Sequence, residues 1–196
     1  MALTAEPGSR ELGPIRLLLV CGSLQRISAN RALLATAARC APDVIAVSTF
    51  EGIADLPHFN PDVEADAARY PALAAWRAAI AQSDGVVIAT PEYAHSLPGS
   101  LKNALDWIVG SGELYEKPVA LMSAGTSGGQ RALDALAQTL RAQGALIDAQ
   151  LSVPGVRPKL DANGDLVDAD TIAQVCALLG NLVDAARRAR AASMKS

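Results

Sequence analysis

The chain is short of aromatic residues, cysteine, histidine and positive charge, and each shortage narrows what it can be. Aromatics make up 4% of the 196 residues while 51% are hydrophobic. The interior must therefore be packed from Ala, Leu, Val and Ile, which suits helices laid on a parallel sheet better than an aromatic-rich β-sandwich. The three cysteines, Cys21, Cys40 and Cys176, are odd in number, far apart and without a C-x-x-C pair. That spacing predicts reduced thiols, no disulfide framework, no structural zinc and a cytoplasmic location. Of the two histidines, His58 has no partner at metal-ligand spacing. No apolar run approaches the ~18 residues of a membrane span. The opening MALTAEPGSRELGP has neither the basic start nor the hydrophobic block of a signal peptide. Lys and Arg total 17 against 20 Asp and Glu, a net charge of −3, and Arg187-Arg188-Ala189-Arg190 is a short basic cluster; nucleic acid is not an expected partner. Neither G-x-x-x-x-G-K-[ST] nor a nucleophile elbow is present, which argues against a nucleotide hydrolase.

What is present is a regular alternation. Ile15–Cys21, Asp43–Ser48, Asp84–Thr90, Lys117–Ala124 and Ala145–Val153 are short apolar runs, as expected of strands buried on both faces. Helical patterns follow them at 32–40, 72–82, 98–109, 130–143 and 169–191; in the third, Leu101, Ala104, Leu105 and Ile108 share one side. Pro98 stands where a helix start tolerates proline, and Gly144 stops the fourth helix. Five strand–helix units demand a parallel sheet with right-handed crossovers. The expected fold is α/β, a flavodoxin-like three-layer sandwich whose five-stranded parallel sheet has the order 2-1-3-4-5 with helices on both faces. Residues 1–14 read as a flexible N-terminal tail and 15–192 as one domain. Between the second strand and the second helix, residues 50–71 form a long irregular segment, a length that usually signals function.

The most informative stretch runs from Val20 to Arg31. Gly22 permits a sharp turn after the first strand, Ser23 and Ser28 offer hydroxyls, Asn30 offers an amide, and the following helix points free N–H groups and its positive dipole end into the loop. This predicts a phosphate site. In an open parallel sheet, ligands bind beyond the carboxyl ends of the strands at the topological switch point. Two further loops converge there, Thr90 to Gly99 after strand three and Ala124 to Gly129 after strand four. A phosphate pocket, a stiff Pro-flanked loop carrying Tyr93 and a glycine-rich backbone fringe together describe a site for a mononucleotide with a large planar ring.

The wording of these loops resembles the NADPH-dependent FMN reductase family, a flavodoxin-like group that includes quinone, azo-dye and chromate reductases. The resemblance rests on Gly22-Ser23-Leu24-Gln25-Arg26-Ile27-Ser28-Ala29-Asn30, on Pro91 to Trp107, and on the turn from Gly125 to Gly129. It implies FMN as cofactor, with Ser23, Ser28 and Asn30 on the phosphate and Gly22, Gln25 and Arg26 in the same loop. Pro91, Glu92 and Tyr93 would line the edge and one face of the isoalloxazine, and Ser123, Gly125 and Gly128 would border its pyrimidine end. Two departures stand out. Where the family has arginine after G-S-L this chain has Gln25, leaving neighbouring Arg26 to supply the charge, and where the family has asparagine after P-E-Y this chain has Ala94.

The implied activity is FMN-dependent NAD(P)H oxidoreduction, hydride passing from NADPH or NADH to bound FMN and on to quinones, free flavin or other small acceptors by a ping-pong cycle. Such chemistry needs position and electrostatics rather than a catalytic side chain, and none is nominated. The alternative is a non-enzymatic flavodoxin-like FMN-binding carrier or interaction module. The resemblance also implies a homodimer or homotetramer, with Trp107 a candidate for a partner surface. Two residues have competing readings. His95 is either a proton contact near the ring or a solvated loop histidine, and Cys21 is either a thiol activated by the helix start or a small core residue. Asp161-Ala162-Asn163-Gly164-Asp165 has its glycine at the fourth position rather than the sixth and reads as a turn, not a calcium loop.

Overall fold

The apolar runs form the strands β1 (Ile15–Cys21), β2 (Ile45–Phe50), β3 (Gly85–Ala89), β4 (Pro118–Gly125) and β5 (Leu146–Pro154) in the computed structural model, which describes residues 13–62 and 69–194. Every pairing is parallel and the order is β2-β1-β3-β4-β5, the flavodoxin-like arrangement expected from the alternation. The helices are α1 (Ala29–Cys40), α2 (Pro71–Gln82), α3 (Gly99–Asp106), α4 (Gln130–Ala142) and α5 (Ala169–Ser193). Successive side chains of a strand point to opposite faces, and β1 shows the result. Leu17 and Leu19 join the core under α1 and α5, while Leu18 and Val20 join the core under α2, α3 and α4. β3 is buried along its whole length and the edge strand β5 alternates exposed with half-buried residues, so one sheet reads as two different sequence patterns.

Helix starts follow local chemistry. The Ser28 hydroxyl accepts from the Asn30 amide at 3.3 Å and fixes the start of α1; Asp168 does the same for α5 through the Thr171 amide at 3.0 Å. Pro71 opens α2, where its missing N–H costs nothing. Asp161 accepts from the amides of Asn163 and Asp165, each at 2.9 Å, and closes the 161–165 turn.

Two expectations change. Cys40, at the end of α1, and Cys176, in α5, are joined by a disulfide with their Cα atoms 5.2 Å apart, within the range such a bond needs. Sequence distance hid this pair because the fold brings together helices separated by 136 positions. The ground for reduced thiols, and for a cytoplasmic location read from them, is thereby removed; of location the structure says only that no helix among the described residues is long and apolar enough to cross a membrane. Trp107 is 1% exposed, not offered to a partner: its indole N–H donates to the Pro57 carbonyl at 2.8 Å and Phe59 meets it edge-on. The described part of the long 50–71 segment is a strap. Asn103 of α3 accepts from the Phe59 amide at 2.7 Å and donates to the Pro57 carbonyl at 2.9 Å. Arg190 holds the carbonyls of Gly13 and Pro14 at 2.6 and 3.0 Å, and the rest of the predicted tail, 1–12, lies outside the described residues.

Candidate functional site

Beyond the carboxyl ends of β1, β3, β4 and β5, four loops enclose a cleft of about 500 Å³, within the usual size of small-molecule sites. Gln25, Ser28, Ala29 and Asn30 line it from the first loop. Ser28 sits at the head of α1, and after accepting from the Asn30 amide its hydroxyl proton is still free to donate. Asn30 is 2% exposed and its amide group is engaged by the protein. It accepts from the Ala124 amide at 3.0 Å and donates to the Ala124 carbonyl at 3.3 Å, tying the start of α1 to the end of β4. Ser23 and Gly22 lie below the surface. The Ser23 hydroxyl accepts from the Gln25 amide at 3.3 Å, and the Gly22 amide donates to the Ala89 carbonyl at 2.8 Å. Arg26 is exposed and does not line the cleft. Arg31 braces the loop from outside through the Gln25 carbonyl at 2.9 Å and Glu51 at 2.7 Å.

Pro91, Glu92 and Tyr93 line the wall from the loop after β3. Tyr93 and Ser96 exchange two backbone hydrogen bonds, at 2.9 and 3.0 Å, around Ala94 (φ 49°) and His95 (φ 62°). This is a tight two-residue turn with both central residues left-handed, a geometry that favours Asn and Gly. Glu92 reaches across to α4, whose first residue follows Gly129 and has no cap of its own. One carboxylate oxygen accepts from the amides of Arg131 and Ala132 at 3.1 and 3.4 Å, and the other meets His95 Nδ1 at 3.3 Å. Removal from water pushes the Glu92 carboxyl up, but the His95 contact and the two amides outweigh it and hold the group below its ordinary value. His95 itself is 71% exposed, does not line the cleft and serves as this contact.

Gly125 lines the rim after β4 together with Ala124, Thr126, Ser127 and Gly129. Gly128 and Gly129 both have positive φ, and a Cβ on either would collide with a serine hydroxyl, Ser152 for the first and Ser123 for the second. Only glycine lets this turn close down on β4 and β5. Gly128 and Ser123 are therefore beneath the rim rather than on it. Ser123 is fully buried, and its hydroxyl has no hydrogen-bond partner among the described residues. Cys21 is also buried; burial pushes its thiol up, and the opposing effects of the Ser23 amide and Arg31 do not reverse this, so it is a core residue rather than a reactive one.

Sequence reasoning passed over the fourth wall. Gly155, Val156, Arg157, Pro158 and Leu160 follow β5 and close the cleft. The signal was available: a Pro-Gly-x-Arg-Pro segment directly after a strand lies at the carboxyl end of the sheet, where ligands bind.

Comparison with known proteins agrees with this architecture. The NADPH-dependent FMN reductase family matches residues 15–155. Quinone reductase of Escherichia coli (strain K12) is 33% identical over 165 residues, covering 81% of this chain and 88% of that protein. A 2-hydroxy-1,4-benzoquinone reductase of a Burkholderia species is 35% identical over 167 residues, covering 80% and 88%. Among solved structures, the flavoenzyme NAD(P)H:(acceptor) oxidoreductase FerB of Paracoccus denitrificans superposes with a TM-score of 0.77 at 27% identity, covering 89% of this chain and 98% of that one.

Proposed function

The chain belongs to the NADPH-dependent FMN reductase family, and from that membership we propose that it is an FMN-dependent NAD(P)H oxidoreductase that reduces quinones or other small acceptors. The observation that carries the reading is the cleft. Its floor is the serine-capped start of α1, its wall the stiff Pro91–Tyr93 backbone, and its rim the turn from Gly125 to Ser127. Volume and donor set suit FMN: a helix start with a free hydroxyl for the phosphate, a flat wall for the ring and main-chain groups for its polar edge.

In this reading Ser28 and the first amides of α1 hold the phosphate, Pro91 and Tyr93 support the ring, and the main chain at Gly125 meets its pyrimidine end. Bound there, FMN supplies a ring that takes a hydride from the nicotinamide and returns reducing equivalents to the acceptor, the two substrates using one open face in turn. Glu92 is spent on α4 and keeps the wall in register with the rim; it is a positioning residue. Asn30 likewise holds α1 against β4.

Titration of the purified protein with FMN and with riboflavin tests the reading. Saturable FMN uptake is expected, with Ser28→Ala weakening FMN by about tenfold and riboflavin little, the size of one hydrogen bond to a charged group. Steady oxidation of NADPH or NADH with a quinone should follow. Failure to take up FMN overturns the reading, and uptake without turnover favours the carrier.

A further inference from the structure

Among the described residues, two charged side chains line the cleft, Glu92 and Arg157. Glu92 is committed to the start of α4 and to His95, so it offers a ligand no positive charge and cancels the field of the one helix start it caps. The start of α1 contributes about half a unit of positive charge. A phosphate monoester carries more than that, and it meets a cleft whose anionic wall repels it.

Among the described residues, the other cations close to these loops are engaged elsewhere or turned away. Arg31 is held by Glu51 and by the Gln25 carbonyl. Lys159 is held by Asp168 at 3.2 Å and by the Thr171 hydroxyl at 2.8 Å. Arg26 and Arg131 are exposed and do not line the cleft. Arg157 lines it, is exposed, and makes no side-chain hydrogen bond or ion pair among the described residues.

Its backbone is nevertheless well fixed. Val156 before it is 6% exposed and sits in the core with α1 and α5, and Pro158 after it sets the dihedral of a single 3-10 turn closed by the Leu160 amide on the Arg157 carbonyl, at 3.3 Å. The segment also leans on the first loop: Ala29, Val156 and Leu160 share one core, and Ile27 lies against the turn at Gly164. The Gly155 amide, two residues earlier, donates to the Thr126 carbonyl at 3.2 Å, so Arg157 is carried into the cleft on a rigid support.

We propose that Arg157 is the cation that pairs with a phosphate monoester bound in this cleft. The inference rests on the proposed function and adds to it the residue that recognises the anion. The fork of an arginine matches phosphate geometry bidentately. Two ligands carry the chemistry, FMN through its 5′-phosphate and NADPH through its 2′-phosphate, and matched ligands without that group, riboflavin and NADH, separate them.

The test uses the full chain with Arg157→Gln, Arg157→Lys and Arg26→Gln. Because the Arg157 side chain has no hydrogen-bond or ion-pair partner among the described residues, its variants should melt at the wild-type temperature. Arg157→Gln should weaken FMN by about 10- to 100-fold relative to riboflavin, the span of a charge-assisted contact; Arg157→Lys should recover part of the loss, and the salt dependence of FMN binding should flatten in the glutamine variant. If instead NADPH loses kcat/KM relative to NADH while the FMN-to-riboflavin ratio holds, the paired group is the dinucleotide's phosphate. Unchanged ratios for both ligand pairs overturn the proposal, as does a loss produced by Arg26→Gln and not by Arg157→Gln. If the wild-type protein binds neither flavin, the functional reading fails first, and the two failures are distinct.

Discussion

The two ends of the sheet use charge in opposite ways. At the amino ends of the strands, the basic cluster of the sequence is consumed within the chain: Arg187 meets Asp184 at 3.2 Å, Arg188 meets Asp148 at 3.8 Å, and Arg190 grips Asp84 while holding the carbonyls of Gly13 and Pro14. Asp84 also accepts from the Arg16 amide at 2.7 Å. Lys117 donates to the carbonyls of Ile80 and Ser83 at 2.8 and 2.5 Å, and burial lowers its pKa. At the carboxyl ends, Arg157 and the Ser123 hydroxyl have no protein partner among the described residues and Ala94 sits in a left-handed conformation that suits other residues better. Cations spent on the fold stabilise it, and a cation left without a partner is available to a ligand. Unpaired groups are not confined to one end, since Gln143 Oε1 has no partner among the described residues and Glu116 before β4 has φ 55°; the contrast between the ends lies in where the cations are spent.

Changes away from the cleft should therefore alter stability and spare binding. The largest effect is expected from Cys40→Ser with Cys176→Ser. Releasing a link across 136 positions should cost about 5 kcal/mol by chain-entropy reasoning, read from equilibrium urea unfolding, while FMN affinity of the folded protein holds. A change in affinity without a loss of stability would show that the link shapes the cleft instead. Next comes Asp84→Ala. The pair is 16–17% exposed, so the loss should be about 2–3 kcal/mol, below that of a fully buried pair, and the double variant with Arg190→Ala should be less than additive. At the other end the sign reverses. Ala94→Asn should stabilise by about 0.5–1 kcal/mol, because Asn tolerates positive φ and Ala does not; a loss of stability there would mean that the turn is not strained.

Much of the fold was legible because continuous apolar runs such as Ile15–Cys21 have few ways to be buried other than a parallel strand. β2 was misplaced by two residues, Asp43–Ser48 against Ile45–Phe50, since on this edge strand half the residues are exposed and the apolar run loses its outline. The first three loops of the site were legible from their wording. Their division of labour was not: Asn30 and Glu92 look like ligand contacts in sequence, but in the fold their hydrogen bonds go to Ala124 and to the start of α4. Ala94 carried a readable departure from the family pattern, yet only its φ gives a physical meaning to the asparagine it replaces.

Sequence alone determined the strand–helix alternation, the parallel sheet and the loop that starts α1, because these depend on patterns within about 30 residues. Tertiary structure decided everything that joins distant segments: the Cys40–Cys176 bond, the strap over Trp107, the carboxylate of Glu92 on α4, and the arrival of Arg157 in the cleft that Ser28 also lines. The physical reason is that periodicity reports which side of an element is buried, whereas pairing between charges, thiols and hydrogen-bonding groups depends on where the chain returns, and that is set by packing.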